Sequence, residues 1–137
     1  MTMHASGRFD VKLEPRPQDH GHEREHASSI GRMSIDKRFE GDLDATSKGQ
    51  MLAFLTNVGG SAAYVALEIV SGRLHGRSGD FVLQHNGTMA HGARELSVTV
   101  VPDSGTGDLQ GLAGSMAITV ANGEHSYAFD YTLPEIA

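Results

Sequence analysis

Glu68 and His85 are the two residues of this chain best suited to acid–base chemistry. The predicted central hairpin makes them diagonal neighbours on one face, within reach of each other's side chains. A carboxylate hydrogen-bonded to an imidazole inside an apolar barrel can act as an acid and a base, because burial shifts both pKa values. The same pair can equally be a satisfied polar contact that fixes strand register. Glu68 and His85 are therefore candidate catalytic residues, with a structural role as the alternative.

The central hairpin that unites them is predicted to have a two-residue turn at Arg77-Ser78. Its register puts Leu74 opposite Phe81 and Val70 opposite His85. A bulge at Gly72 would turn half of the face around, and a turn at Asn86-Gly87 would shorten the second strand. The predicted inward face carries Tyr64, Ala66, Glu68, Val70, Leu74, Phe81, Leu83 and His85.

The last hairpin is set by Asn122-Gly123, since this dipeptide supports the positive φ angles of a type I′ turn. A two-residue loop there pairs Ile118 with Tyr127 and Met116 with Phe129. One face then holds the aliphatic and aromatic residues and must be core, because a slip of one residue would expose all of them. The opposite face suits solvent or a flat subunit contact, and it carries Ala117, Thr119, Ser126, Ala128 and Asp130.

Period-two alternation of apolar and polar residues dominates the rest of the chain and predicts about eight strands. No segment shows a helical stripe, and no βαβ pattern is present. Sheets of this size avoid exposed edges by closing or by stacking in pairs. We predict an all-β fold, a closed antiparallel barrel, as a single domain over residues 1–137 with an exposed His-rich loop at about 15–29. The strands are predicted near residues 5–13, 30–39, 43–57, 64–74, 81–85, 96–101, 115–121 and 125–133.

Composition excludes several classes of function. Eleven basic residues against 17 acidic ones give a formal charge of -6, and no dense cationic run is present to displace counterions from nucleic acid. The chain lacks cysteine, which removes disulfides, thiol catalysis and thiolate metal sites. No run approaches the length of a membrane-spanning helix, and the first residues are not a signal peptide. We expect no nucleic-acid partner, no membrane association and a cytoplasmic location.

The sequence gives little support to a metal site or a nucleotide site. His20, His22 and His26 offer imidazoles in a polar loop without a rigid scaffold, so adventitious binding is favoured over a dedicated site. The Gly105-Thr106-Gly107 loop lacks the Lys-Ser/Thr ending and following helix of a phosphate-binding loop. Ser47 lacks the context of a nucleophile elbow. We therefore predict no metal and no cofactor.

Three segments of the chain resemble a known but uncharacterised family. They are Phe39–Gly49, Gly72–His85 and Val101–Gly114, and they are similar to the bacterial domain of unknown function numbered 3224. The resemblance implies a calycin-like barrel of eight antiparallel strands around a central cavity, similar to the allene oxide cyclase and dirigent barrels. The family has no established activity, so the resemblance implies no catalytic residue.

The sequence is compatible with three functions. The first is a barrel that binds a small apolar or amphipathic molecule in a mainly apolar cavity. The second is a cofactor-independent isomerase or cyclase that uses Glu68 and His85 in the same cavity, and whether the protein is an enzyme stays open. The third is a structural or homo-oligomeric domain with a filled barrel. The residues predicted to line the cavity are Tyr64, Glu68, Leu83, His85, Tyr127, Phe129 and Tyr131.

Overall fold

The computed structural model of the chain describes residues 1–16 and 30–134. These residues form eight antiparallel strands in a closed barrel, in which each strand pairs with the next and β8 pairs back onto β1. The predicted all-β barrel is confirmed. The predicted His-rich loop, with His20, His22 and His26, lies outside the described residues except for its first two positions, which belong to β1. The strands are β1 Met3–Arg16, β2 Ile30–Gly41, β3 Leu43–Leu55, β4 Ala62–Leu74, β5 Arg77–Ala90, β6 Ala93–Val100, β7 Ala113–Ala121 and β8 Glu124–Thr132.

Three of the hairpins are closed by two-residue turns whose residues both have positive φ, as a type I′ turn requires. These turns are His75-Gly76, His91-Gly92 and Asn122-Gly123. The last hairpin has the predicted register, with Ile118 opposite Tyr127 and Met116 opposite Phe129. Phe129 is fully buried. The inward face predicted for this hairpin is therefore confirmed, except at its aliphatic residue next to the turn, Val120, which is 55% exposed.

The predicted register of the central hairpin is wrong by four residues. The turn lies at His75-Gly76 instead of Arg77-Ser78, and Val70 lies opposite Phe81 instead of His85. Histidine tolerates the left-handed conformation better than most residues, and this turn uses that tolerance. Because a slip of four is even, every side chain keeps its predicted face. Both ladders pass through Gly72 without a bulge.

Asn86-Gly87 is an internal part of β5 and forms no turn. Gly87 lies directly opposite Tyr64 on β4, and a Cβ at residue 87 would collide with the Tyr64 ring. The glycine therefore makes room for the aromatic ring on the neighbouring strand.

One end of the barrel, here called the closed end, is filled with side chains. It carries the His75-Gly76 turn and the connection over residues 101–112, which includes a short 3₁₀ helix at Gly107–Leu109. Leu109 and Leu112 from this connection are buried against the core. The largest core residues have almost no solvent-exposed surface, so no water fits beside them. The almost fully buried residues include Phe39, Leu43, Val70, Leu74, Phe81, Leu83, Phe129 and Tyr131.

The opposite end, here called the open end, is where β1 ends at Arg16 and β2 begins at Ile30. Towards this end, two pairs of neighbouring strands are no longer joined by ladder hydrogen bonds. The β1–β8 ladder stops at the pair Phe9 and His125, and β6 pairs with β7 only through Thr99 and Ser115. Inward-facing side chains are partly exposed there as a result. These residues are Val11, Leu13, Met33, Met51, Tyr64, Met89, Leu96 and Ile118.

Candidate functional site

A buried polar network lies at the level where the packed closed end gives way to the open end. Its centre is Glu68, which is completely buried. Four neighbouring strands supply its members, Lys37 from β2, Ser47 from β3, Glu68 from β4 and His85 from β5. The structure therefore brings Glu68 and His85 together as predicted, and it adds Lys37 and Ser47.

Every oxygen of the Glu68 carboxylate has a donor. Lys37 Nζ lies 2.8 Å from Oε1, and His85 Nε2 lies 2.6 Å from the same atom. The Ser47 hydroxyl donates to Oε2 over 2.5 Å. A buried carboxylate held this way is satisfied both electrostatically and in hydrogen bonding.

Strand register explains why these side chains meet. Lys37 lies directly opposite Ser47, and Glu68 lies diagonal to His85 across the β4–β5 ladder. Glu68 pairs with Gly49 on its other side. A Cβ at residue 49 would lie 2.7 Å from the Cβ of Glu68, so glycine permits the close approach of β3 to β4 beneath the network.

Lys37 is buried between its carboxylate partner and two aromatic rings. Its Nζ lies 4.8 Å from the centroid of the Phe9 ring and 5.6 Å from that of Phe39. A desolvated ammonium is attracted to aromatic faces. The two rings and Glu68 together compensate for the lost hydration of the charge.

The environment of Glu68 keeps it ionised. Burial alone would raise its pKa, but the His85 hydrogen bond, the charge and hydrogen bond of Lys37 and the Ser47 hydroxyl outweigh burial and lower the pKa to about 2. An ionised carboxylate can only accept hydrogen bonds, so Nε2 of His85 carries a proton and donates it. Nδ1 of His85 then faces away from the carboxylate.

Tyr64 links this network to the open end. Its hydroxyl lies 3.4 Å from His85 Nδ1, and its ring is partly exposed at the open end. Burial raises the pKa of the Tyr64 phenol, and the charge of Glu68 raises it further. The phenol is therefore protonated at neutral pH. Glu68, His85 and Tyr64 form a continuous chain of hydrogen-bonding groups from the core to the open end.

The other predicted lining residues lie in the packed closed end. Leu83 and Phe129 have no exposed surface. The Tyr127 hydroxyl donates to the carbonyl of Glu40 over 2.9 Å, and the Tyr131 hydroxyl is hydrogen-bonded to Nδ1 of His75. These four side chains pack against protein atoms, so the surface facing the open end is built from other residues.

A cleft of about 240 Å³ lies beside the β7–β8 turn, and its lining includes Phe9, whose ring also contacts Lys37. Its lining is mostly charged or polar, with Arg8, Asp10, Glu40, Glu124 and His125 among the residues. Arg8 and Glu124 approach each other there to 3.6 Å. The cleft contains neither Glu68 nor His85, so it is separate from the predicted chemistry.

Within residues 1–16 and 30–134, no group of three or more His, Asp or Glu side chains is arranged to hold a metal ion. No helix in that part of the chain has the length and apolarity needed to cross a membrane.

In the sequence, Lys37 alternates in step with Met33, Ile35 and Phe39, which places it on the same side of β2 as these apolar residues, but it was not among the predicted site residues. A lysine at an inward-facing position of a strand predicts a buried acidic partner, because a buried ammonium needs a buried counter-charge. Glu68 is the acidic residue that the predicted inward faces already contained. Ser47 carries no comparable signal, since small hydroxyl residues occur on either face of a strand.

Comparison with known proteins places the chain among uncharacterised relatives. The sequence model of a family described as protein of unknown function (DUF3224) matches residues 5–131. A crystal structure of a DUF3224 protein of unknown function from Shewanella oneidensis MR-1 has a TM-score of 0.88 and 44% sequence identity to this chain. The alignment covers 98% of this chain and 100% of that one. Among curated proteins, none matches the chain.

Proposed function

The chain belongs to the DUF3224 family of proteins of unknown function, and from that premise we propose that it binds a small, mainly apolar molecule at the open end of its barrel. The observation that carries the proposal is the contrast between the two ends. The closed end is packed to near-zero exposure, whereas inward-facing apolar side chains at the open end stay partly exposed. Concave apolar surfaces with a few polar groups are typical of ligand sites.

The lining favours a flexible apolar ligand. Met33, Met51 and Met89 lie around the open end, and methionine adapts its shape to varied apolar partners. Leu13 and Leu96 remain 46% and 45% exposed although they point inward. A bound hydrocarbon would remove this surface from water and gain about 25 cal/mol for each Å² of apolar area.

The floor of the site would accept one polar group. The Tyr64 hydroxyl and Nδ1 of His85 are the network atoms nearest the open end. A ligand hydroxyl or carbonyl could hydrogen-bond to Tyr64 without disturbing the ion pair beneath it. The favoured ligand class is therefore a small amphipathic molecule with a hydrocarbon body and a single neutral polar group. The predicted likeness to allene oxide cyclase and dirigent barrels fits a ligand of this kind, but only as a fold analogy.

A tryptophan reporter tests this site, because the chain contains no tryptophan. In the Leu96→Trp variant, a medium-chain alcohol with a terminal bromine should quench the fluorescence saturably, since bromine quenches on contact. The control is Ala117→Trp on the outer face of β7, where only weak, linear quenching is expected. Equal quenching curves for the two variants would contradict binding at the open end.

Proton transfer to or from the ligand is a second candidate function, favoured by the chain of groups from Glu68 through His85 to Tyr64. Nδ1 of His85 would take a proton from a ligand carbon next to a carbonyl, and solvent would return one. A medium-chain methyl ketone in D₂O should then exchange its α-hydrogens faster with the wild type than with His85→Gln. Exchange no faster than in buffer would remove this function while leaving ligand binding intact.

A further inference from the structure

Lys37 is a buried primary amine that reversible ligand binding does not use. Its side chain is only 6% exposed, whereas the other two lysines of the chain, Lys12 and Lys48, are 73% and 88% exposed. A lysine held in apolar surroundings can form a Schiff base with a carbonyl compound. Lys37 is therefore a candidate nucleophile as well as a member of an ion pair.

The strand register places Lys37 at the base of the proposed ligand site. Its direct partner on β1 is Val11, an inward-facing residue that is partly exposed at the open end. Nζ of Lys37 and Nε2 of His85 bind the same oxygen of Glu68, so the amine and the imidazole are close neighbours. A ligand carbonyl held near His85 and Tyr64 would therefore lie close to the amine.

We propose that Lys37 binds apolar aldehydes covalently, as a protonated Schiff base whose counter-ion is Glu68. This proposal rests on the proposed function, because the hydrocarbon chain of the aldehyde must occupy the open end of the barrel. It narrows the ligand class from molecules with any neutral polar group to molecules with a reactive carbonyl.

The condensation balances in atoms and charge. One proton moves from Nζ of Lys37 to Oε1 of Glu68 along their 2.8 Å hydrogen bond, and the neutral amine attacks the carbonyl carbon. As the C–N bond forms, the carbonyl electron pair moves onto oxygen, which takes a second proton from the nitrogen. Glu68 returns its proton to the resulting hydroxyl group, which leaves as water while the nitrogen lone pair forms the C=N bond.

The product keeps the charge balance of the network. The iminium nitrogen retains one positive charge and one N–H, which can donate to Glu68 as the ammonium did. Ser47 and His85 continue to donate to the carboxylate, and the Phe9 ring remains close to the cation. Because the closed end beneath the network is packed, water reaches the C=N bond only from the open end, which slows hydrolysis.

Reductive trapping with a medium-chain aldehyde tests the proposal. The wild type is incubated at neutral pH with octanal and cyanoborohydride, which adds hydride to the C=N bond and makes the attachment permanent. Mass spectrometry of proteolytic peptides then locates the octyl group. Exposure alone predicts labelling of Lys12 and Lys48. We expect Lys37 to be labelled about tenfold faster than either, because binding holds the carbonyl beside it.

Two controls separate binding from the intrinsic reactivity of the amines. In the chain unfolded by urea, the three lysines should be labelled at similar rates. In the folded protein, excess octanol should protect Lys37 while Lys12 and Lys48 are still labelled, since the alcohol occupies the same apolar site without reacting.

The outcomes distinguish this proposal from the one on which it rests. Labelling confined to Lys12 and Lys48, in a protein whose Met33 and Met51 methyl NMR signals respond to octanol, would overturn the Schiff base and leave reversible binding in place. Labelling of Lys37 that octanol does not reduce would overturn the role of the open end in holding the aldehyde. Methionine signals that do not respond to octanol would overturn the proposed function itself.

Discussion

Replacing Glu68 with glutamine is expected to lower the free energy of unfolding by about 3–5 kcal/mol. Glutamine has nearly the shape of glutamate, so the loss comes from charge. The buried ammonium of Lys37 would keep its aromatic neighbours but lose the carboxylate that lies 2.8 Å away. An uncompensated buried charge costs several kcal/mol. Urea denaturation at neutral pH, followed by circular dichroism, measures the change.

A second substitution separates charge from packing. Adding Lys37→Met to Glu68→Gln removes the stranded charge, so the double variant should recover at least half of the stability lost. The control is Glu14→Gln, which removes a carboxylate paired with Lys12 at the surface and should leave stability essentially unchanged. If the double variant lost as much stability as Glu68→Gln and Lys37→Met lose separately, added together, Lys37 and Glu68 would not act as a pair.

Acid should remove the same stabilisation from the wild type. The pKa of Glu68 is about 2 in the folded chain against an ordinary value of 4.5, so the unfolded chain binds the proton more readily. The contribution of Glu68 is fully present above the ordinary pKa and is lost as pH falls from about 4.5 towards 2. The difference between the two pKa values corresponds to about 3 kcal/mol.

The matched measurement compares the wild type with Glu68→Gln at each pH. Other carboxylates titrate in both proteins and cancel in the difference. The stability gap should be largest near neutral pH and should shrink as the pH falls below 4.5. A gap that stays constant down to pH 3 would show that the carboxylate gains nothing from its partners.

The strands and one hairpin could be predicted from local features of the sequence, namely the alternation of apolar and polar residues and the residues of one turn. The Asn122-Gly123 turn fixes the register of β7 against β8 within a few residues, so Ile118 and Tyr127 could be paired correctly from sequence. The His75-Gly76 turn lacks that familiar signature, and the register of β4 against β5 was predicted wrongly. Glu68 and His85 still met, because the slip of four residues moved His85 from one diagonal position beside Glu68 to the other.

The rest of the site depends on pairings that are distant in sequence. Lys37 reaches Glu68 only because β2, β3 and β4 align in one register, and no local signal sets that alignment. The opening of one end depends on where two ladders stop, at Phe9 with His125 and at Thr99 with Ser115. Alternation predicts which side of a strand faces inward, but it does not predict how far two strands stay together.

Methyl NMR of the methionines is the measurement that tests the central claim most directly. Met33, Met51 and Met89 lie at the open end, while Met116 is buried in the core. Titration with a medium-chain alcohol should move the three open-end methyl signals along saturable curves and leave the Met116 signal in place. Three unmoved signals, or a Met116 signal that moves as far as theirs, would contradict a ligand site above the Glu68 network.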